Sequence, residues 1–289
     1  MNGDGKELPG PRPRLVPLWQ FFNEHVEAPG HSTWGRYDTL NAGDRKAADF
    51  FIGVLRGSGR VLDIGCGAGM PALYLSPHAQ SVIGIDAAPN MVEAARRNAS
   101  ALGLCNVGFE VMDSQELPFS ASAFDGVSLC GTLMSMDRAG ALVSLREARR
   151  VLKAIGRLAI LECDWAAVTP SCKAEARRGH TGIVARLVER LSNPPLERDT
   201  WYLLKEDSPS ASKLAARLGQ RVRMTIALAE LESAINDAAD AWCYESTGFD
   251  EAGLLASLHE AGFRSVRFRR EMIWNSPILL VMASTRGSL

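Results

Sequence analysis

The stretch VLDIGCGAGM, residues 61–70, constrains the fold more than any other part of the chain. Val61, Leu62 and Ile64 suit a buried strand, Asp63 sits where that strand ends, and Gly65, Gly67 and Gly69 follow at every second position. Glycine adopts positive φ at no steric cost and lets another group approach the backbone closely. A glycine-rich turn between a strand and a helix also leaves N–H groups aimed at whatever lies above it, which is how nucleotide-like ligands are commonly held. Pro71 suits the first turn of the following helix, where its missing N–H costs nothing.

The next hundred residues separate a ligand-holding turn from a merely tight one. Residues 18–56 read as two or three short helices, with Ala47, Ala48, Phe51 and Leu55 on one face of the last. After the strand at 60–64, SVIGI (81–85) is a second buried strand and ends on Asp86. Pro89 opens a helix with Met91, Ala94, Ala95, Asn98 and Leu102 on one face, and Gly103 stops it. VGFEVM (107–112) ends on Asp113, FDGVSLC (124–130) is a fourth strand, and RLAILE (157–162) is a fifth. A helix over 138–152 turns Leu142, Leu145, Ala148, Val151 and Leu152 inward. Strands alternating with helices predict an α/β fold with a doubly wound, Rossmann-like, mainly parallel sheet. Ligands of such sheets bind outside the C-terminal strand ends, where Asp63, Asp86 and Asp113 lie. The chain closes differently. A helix over 250–263 precedes two strands, RSVRFRREMIW and ILLVMAS, which predict an antiparallel hairpin and bring the sheet to seven strands.

Composition narrows the function. With 289 residues and 46% hydrophobic residues, the chain suits one large α/β domain carrying an insertion, or one domain with a small appendage. The net charge of −1 gives no electrostatic footprint for nucleic acid. The six cysteines form no C-x-x-C pair and no histidine cluster has zinc spacing, so no metal is expected and the thiols predict a reducing, cytoplasmic setting. Residues 1–17, rich in Gly, Pro and charge and without an apolar signal core, are expected to be a disordered tail. No apolar run approaches the roughly 18 residues that span a membrane. Monomer and homodimer are both compatible with the sequence.

Taken together these motifs resemble class I S-adenosylmethionine-dependent methyltransferases, in the small-molecule group of the ubiquinone and menaquinone C-methyltransferases. DIGCGAG, GIDAAPNMVEAARRNA, DSQELPF, FDGVSLCGTLMSM, LREARRVLKAIGRLAILE and HEAGFRSVRF carry the likeness, over 45–163 and 248–285. The resemblance implies S-adenosylmethionine as cofactor and S-adenosylhomocysteine as product. It implies that Gly65, Cys66 and Gly67 border the methionine part, with Asp63 near its amino group. Asp86 would accept from the ribose hydroxyls, with Ala87 and Met91 beside it, and Asp113 from the adenine amino group, with Ser114 adjacent. Cys130 and Gly131 would border the sulfonium, and Tyr37 would cover the cofactor. Two departures stand out: Ala154-Ile155-Gly156 replaces the usual proline-glycine-glycine turn, and Met134-Ser135 replaces an aromatic or histidine pair.

The core is therefore expected at 18–163 and 248–289, interrupted by a helical cap at 164–247, where such proteins build their substrate lid. Apolar stripes such as Ile183, Val184, Leu187, Val188 and Leu191 fit a helical cap over a small, largely apolar acceptor. Asp164 and His180 are the candidate bases. Two other functions fit parts of the pattern. Gly67 to Ala72 matches the G-x-G-x-x-A of nicotinamide dehydrogenases. A protein of this fold can also bind the cofactor while promoting cyclisation, or act as a scaffold.

Overall fold

The computed structural model describes residues 35–136, 138–164, 166–168, 249–274 and 276–285. By contacts the chain divides into Met1–Asp164 with Phe249–Leu289, and Trp165–Gly248. The first unit is described below. The expected tail at 1–17, the helices expected before residue 35, most of the expected helical cap, and His180 lie outside the described residues.

Seven strands form one sheet in the order β3-β2-β1-β4-β5-β7-β6. They are β1 (Arg60–Ile64), β2 (Ser81–Asp86), β3 (Val107–Val111), β4 (Phe124–Cys130), β5 (Leu152–Cys163), β6 (Ser265–Ile273) and β7 (Ser276–Ser284). Strands β1 to β5 run parallel, and β7 pairs antiparallel with both β5 and β6. The predicted hairpin thus does not simply extend the sheet. Its second strand slots in beside β5, and β6 becomes the edge.

Alternation along the strands builds two cores. Val61, Val82, Ala159, Leu161 and Leu280 face α1 (Ala42–Leu55), α2 (Ala72–Leu75) and α3 (Pro89–Ala101). Their neighbours Leu62, Ile64, Leu158, Ile160 and Leu279 face α4 (Arg138–Val151) and α5 (Glu251–Glu260). A strand buried on both faces reads as a continuous apolar run, as β5 and β7 do. On α1 the expected face of Ala47, Ala48, Phe51 and Leu55 is fully buried. The Asn41 side chain caps α1 by accepting from the Asp44 amide, and Asp250 caps α5 by accepting from the Gly253 amide. The Trp274 indole, at the hairpin turn, donates to Asp44 Oδ1 (2.7 Å) and ties the sheet edge to α1.

Two local details differ from expectation. The helix after the glycine turn is a single turn, Ala72–Leu75, continued by a 3-10 turn at Ser76–His78. Before β5 there is no separate turn at Ala154–Ile155–Gly156. Strand β5 already starts at Leu152, and its register against β4 jumps from Phe124↔Leu152 to Gly126↔Arg157. Four β5 residues therefore oppose the single Asp125, which bridges the irregularity by accepting from the Arg60 amide (2.8 Å) and pairing with Lys153 (2.7 Å).

Asp63 lies at the centre of the sheet. The β1–β4 register sets it beside Ser128, whose hydroxyl donates to Asp63 Oδ1 (2.8 Å), and the Ala72 amide donates to Oδ2 (3.1 Å). Complete burial pushes its carboxyl up to about 8, against the opposing effect of these two hydrogen bonds. Between the ordinary carboxylate range near 3.9 and about 8, the folded state therefore holds a proton that the unfolded chain has released. This contribution favours the fold at low pH and is lost as pH rises through that window. Asp63→Asn keeps the shape without the titration. Denaturant titrations of both proteins from pH 5 to 9 should show the variant gaining stability relative to wild type by more than about 1 kcal/mol, since a tenfold change in proton affinity is worth about 1.4 kcal/mol. A pH-independent difference would show that Asp63 does not titrate with folding.

Candidate functional site

A cavity of about 300 Å³ opens at the C-terminal ends of β1 to β4. It sits where chain order reverses, with β2 on one side of β1 and β4 on the other, the usual ligand position in doubly wound sheets. Its floor is the glycine turn. Gly65 has φ +67°, and a Cβ there would come within 2.4 Å of the Thr132 methyl group. Gly67 has φ +52° and faces open space, so its backbone is accessible from the cavity. The turn is anchored from behind: the Cys66 amide donates to the Ile85 carbonyl (2.9 Å), and the buried Asn98 side chain on α3 donates to the Ala68 carbonyl (2.9 Å).

Asp86 and Asp113 supply carboxylates to the cavity wall. Asp86 Oδ2 accepts from the Gly67 amide (2.9 Å) and Oδ1 from the Ala88 amide (2.9 Å). Burial raises its pKa while these backbone donors lower it. The Ala87 backbone also acts on this carboxylate, and since an ionised carboxylate offers about four acceptor positions, capacity for a further donor remains. Asp113 Oδ1 accepts from the Gln115 amide (2.9 Å), holding the turn after β3. The DSQELPF segment beyond is pinned by α4: the Leu117 amide donates to Glu147, and Arg150 donates to the Leu117 and Phe119 carbonyls (2.9 and 2.7 Å). Arg150 beside it holds the Glu147 carboxyl below its ordinary range.

The walls are mostly apolar, from Ile85, Met91, Met112 and Met136. Thr132 joins two strand ends, its hydroxyl donating to the Ile64 carbonyl (2.9 Å). The segment Thr132–Met134 is gripped by Glu162, a fully buried carboxyl at the end of β5, which accepts from the Leu133 amide (2.7 Å) and the Met134 amide (3.3 Å). Burial pushes Glu162 up to about 7, opposed by these amides.

The residues expected from the sequence divide into two groups. Gly65, Gly67, Asp86, Ala87, Met91, Asp113, Ser114 and Gly131 line the cavity together. Asp63, Cys66, Cys130, Tyr37 and Asp164 are not among its walls. Asp63 lies one layer below, in the sheet. Cys66 packs over Gly84 in the core, and burial raises its thiol pKa, as it does that of Cys130. Tyr37, in a 3-10 turn, hydrogen-bonds Asp49 and meets Tyr74 edge-on. Asp164 is buried, with the Arg270 guanidinium 2.5 Å from its Oδ2. The sequence reading missed Ile85, Met112, Thr132, Ser135 and Met136 as walls, and Glu162 behind them. The one available signal for Glu162 was an acid ending the apolar run RLAILE.

These features fit an S-adenosyl group. The accessible Gly67 and Gly131 backbones, both at positive φ, leave room for its amino-acid part. Asp86, on the cavity wall, is an acceptor suited to a hydroxyl group. The methionine side chains and Ile85 give the apolar surface that a flat ring would need, and Asp113 lines the same cavity.

Comparison with known proteins agrees. Residues 61–156 match the family model described as a methyltransferase domain. The chain is 34% identical over 151 residues to the ubiquinone/menaquinone biosynthesis C-methyltransferase UbiE of Citrifermentans bemidjiense, covering 48% of this chain and 63% of that protein. It is 46% identical over 69 residues to the aklanonic acid methyltransferase DauC of Streptomyces sp. strain C5, covering 23% of this chain and 31% of that one. The matches thus span less than two thirds of these relatives' length. Among solved structures, the [4+2]-cyclase SpnF shares the fold, with a TM-score of 0.53 at 19% identity over 94% of this chain and 93% of that one. Residues 61–156 are thus similar to a methyltransferase domain, and the strand order and the cavity agree with that likeness.

Proposed function

We propose that this protein transfers the methyl group of S-adenosylmethionine to a small, largely apolar organic acceptor, quinone-like or natural-product-like. The observation that carries the reading is the cavity at the strand-order reversal, which combines two accessible glycine backbones, two carboxylates and an apolar slot. The names of relatives acting in ubiquinone/menaquinone biosynthesis and on aklanonic acid support the acceptor class. The described cysteines are all free thiols, which supports a cytoplasmic location.

When bound, S-adenosylmethionine supplies a methyl group already activated on a sulfonium. The chain's task is then to hold and align. Gly67 and Gly131 admit the amino-acid part against their backbones. Asp86 fixes the ribose by charged hydrogen bonds, and Asp113 and Ser114 fix the ring edge. Alignment and water exclusion supply the rate, and a nucleophile that need not lose a proton asks for no base. Asp164, paired with Arg270, is not among the cavity walls.

Four measurements test this. S-adenosylhomocysteine at a hundred times its dissociation constant should stabilise the protein by about 2.7 kcal/mol in thermal unfolding, and NAD should not. Stabilisation by NAD alone would overturn the assignment, and mass spectrometry of acceptor mixtures should find a product heavier by one methyl group. Asp86→Ala should lower affinity for S-adenosylhomocysteine at least tenfold by calorimetry while the protein stays folded, since hydrogen bonds to a charged group are worth about 1.5–3 kcal/mol. Unchanged affinity would remove Asp86 from the ribose site. Residues 164–247 are proposed to govern acceptor choice. Substitutions there should alter acceptor kinetics tenfold or more and leave S-adenosylhomocysteine affinity within threefold, about 0.7 kcal/mol. Loss of cofactor binding in a folded variant would refute that division.

A further inference from the structure

The structure assigns Glu162 as a positioning residue that sets the β4-side wall of the cofactor cavity. This rests on the methyltransferase reading of that cavity, but its geometry is independent of it. The wall consists of Gly131, Thr132, Ser135 and Met136, which follow β4 in a tight turn. Three contacts hold that turn to the sheet. The Gly131 amide donates to the Leu161 carbonyl (2.8 Å), which only continues the β4–β5 ladder. The Thr132 hydroxyl donates to the Ile64 carbonyl (2.9 Å). The third is Glu162, whose Oε1 takes the Leu133 amide (2.7 Å) and whose Oε2 takes the Met134 amide (3.3 Å).

The choice of residue type is informative. Glu162 is 1% exposed, and a carboxyl group buried that deeply is costly unless its oxygens meet donors. Successive amides at the start of a 3-10 turn point the same way and have no partner within the turn. An acceptor with two oxygens meets both at once. A glutamine has one oxygen, and its NH2 group would face a second N–H. A leucine would pack, but would leave both amides buried and unpaired. Burying an acid is therefore justified at this position only by the segment it holds, and that segment is a wall of the cavity. Glu162 reaches no cavity surface itself. Its effect on any ligand passes through the backbone it fixes.

Calorimetry with S-adenosylhomocysteine on wild type, Glu162→Gln and Glu162→Asp tests the assignment, with unfolding of each unliganded protein measured alongside. Glu162→Gln should bind at least tenfold more weakly while remaining folded. Glu162→Asp, which restores two acceptor oxygens on a shorter arm, should recover part of that loss. Equal affinity in wild type and Glu162→Gln overturns the assignment, as does Glu162→Asp binding no better than a folded Glu162→Gln. Hydrogen–deuterium exchange on the wild-type protein supplies a readout that needs neither a variant nor a ligand. The Leu133 and Met134 amides should be protected at least a hundredfold relative to an unstructured peptide, and free exchange there overturns the clamp. If wild type is protected at these amides yet takes up no S-adenosylhomocysteine, the clamp stands and the methyltransferase reading of the cavity fails.

Discussion

The cavity depends first on Asp63, a carboxyl group placed where the hydrophobic effect alone would have put a leucine. It joins three pieces of chain that are distant in sequence: β1 through its own backbone, β4 through Ser128, and the start of α2 through the Ala72 amide. Without that last bond, the glycine turn would enter the helix with a buried donor unpaired. A buried polar group left without a partner costs about 1–3 kcal/mol. Fixing the helix start fixes the span from Gly65 to Met70, and hence the floor above which any ligand must sit. Complete burial raises the proton affinity of this acid, so its anchoring role is compatible with a neutral carboxyl at ordinary pH.

The sheet's arrangement follows from the same economy of donors and acceptors. The Cys66 amide reaches the Ile85 carbonyl and the Gly131 amide reaches the Leu161 carbonyl, so strand pairing continues one step past the ends of β1 and β4. The chain then diverges to opposite faces, α2 and α3 on one side and α4 on the other. A crevice at that divergence is a consequence of topology. What makes it specific is the side chains that the strand ends place there.

Much of this was legible in the sequence because the signals are local. Glycines at every second position, an acid ending an apolar run and a proline opening a helix each report a backbone conformation through their own chemistry. Gly65, Gly67, Asp86 and Asp113 were found that way. The apolar walls were not, because Ile85, Met112 and Met136 look like any core residue, and only the strand order brings them together. Cys66 and Cys130 illustrate the reverse difficulty. They adjoin cavity glycines in sequence, yet Cys66 packs over Gly84 into the core. The extended β5 was also illegible. The irregularity opposite Asp125 depends on Arg60 and Lys153 meeting one carboxylate, and no periodicity records that meeting. The place of β7 between β5 and β6 likewise follows from pairing over more than a hundred residues of sequence separation.

Asp63, Asp86 and Glu162 share a role that their separate places in the sequence conceal. Each stands in the last residues of a parallel strand, and each accepts backbone N–H groups from a segment leaving the sheet: Ala72 for Asp63, Gly67 and Ala88 for Asp86, Leu133 and Met134 for Glu162. Segments that leave a parallel sheet must give up ladder partners, and partly buried amides need acceptors from elsewhere. Acids at strand ends answer that need without adding donors of their own. They differ in what remains once the backbone is satisfied. Asp63 and Glu162 are enclosed, so their effect ends with the loop they hold. Asp86 is only half-buried, and it lines the cavity. The residue best placed to recognise a ligand is therefore also one that shapes the glycine turn beneath it. Ligand affinity and loop geometry are coupled through a single carboxylate.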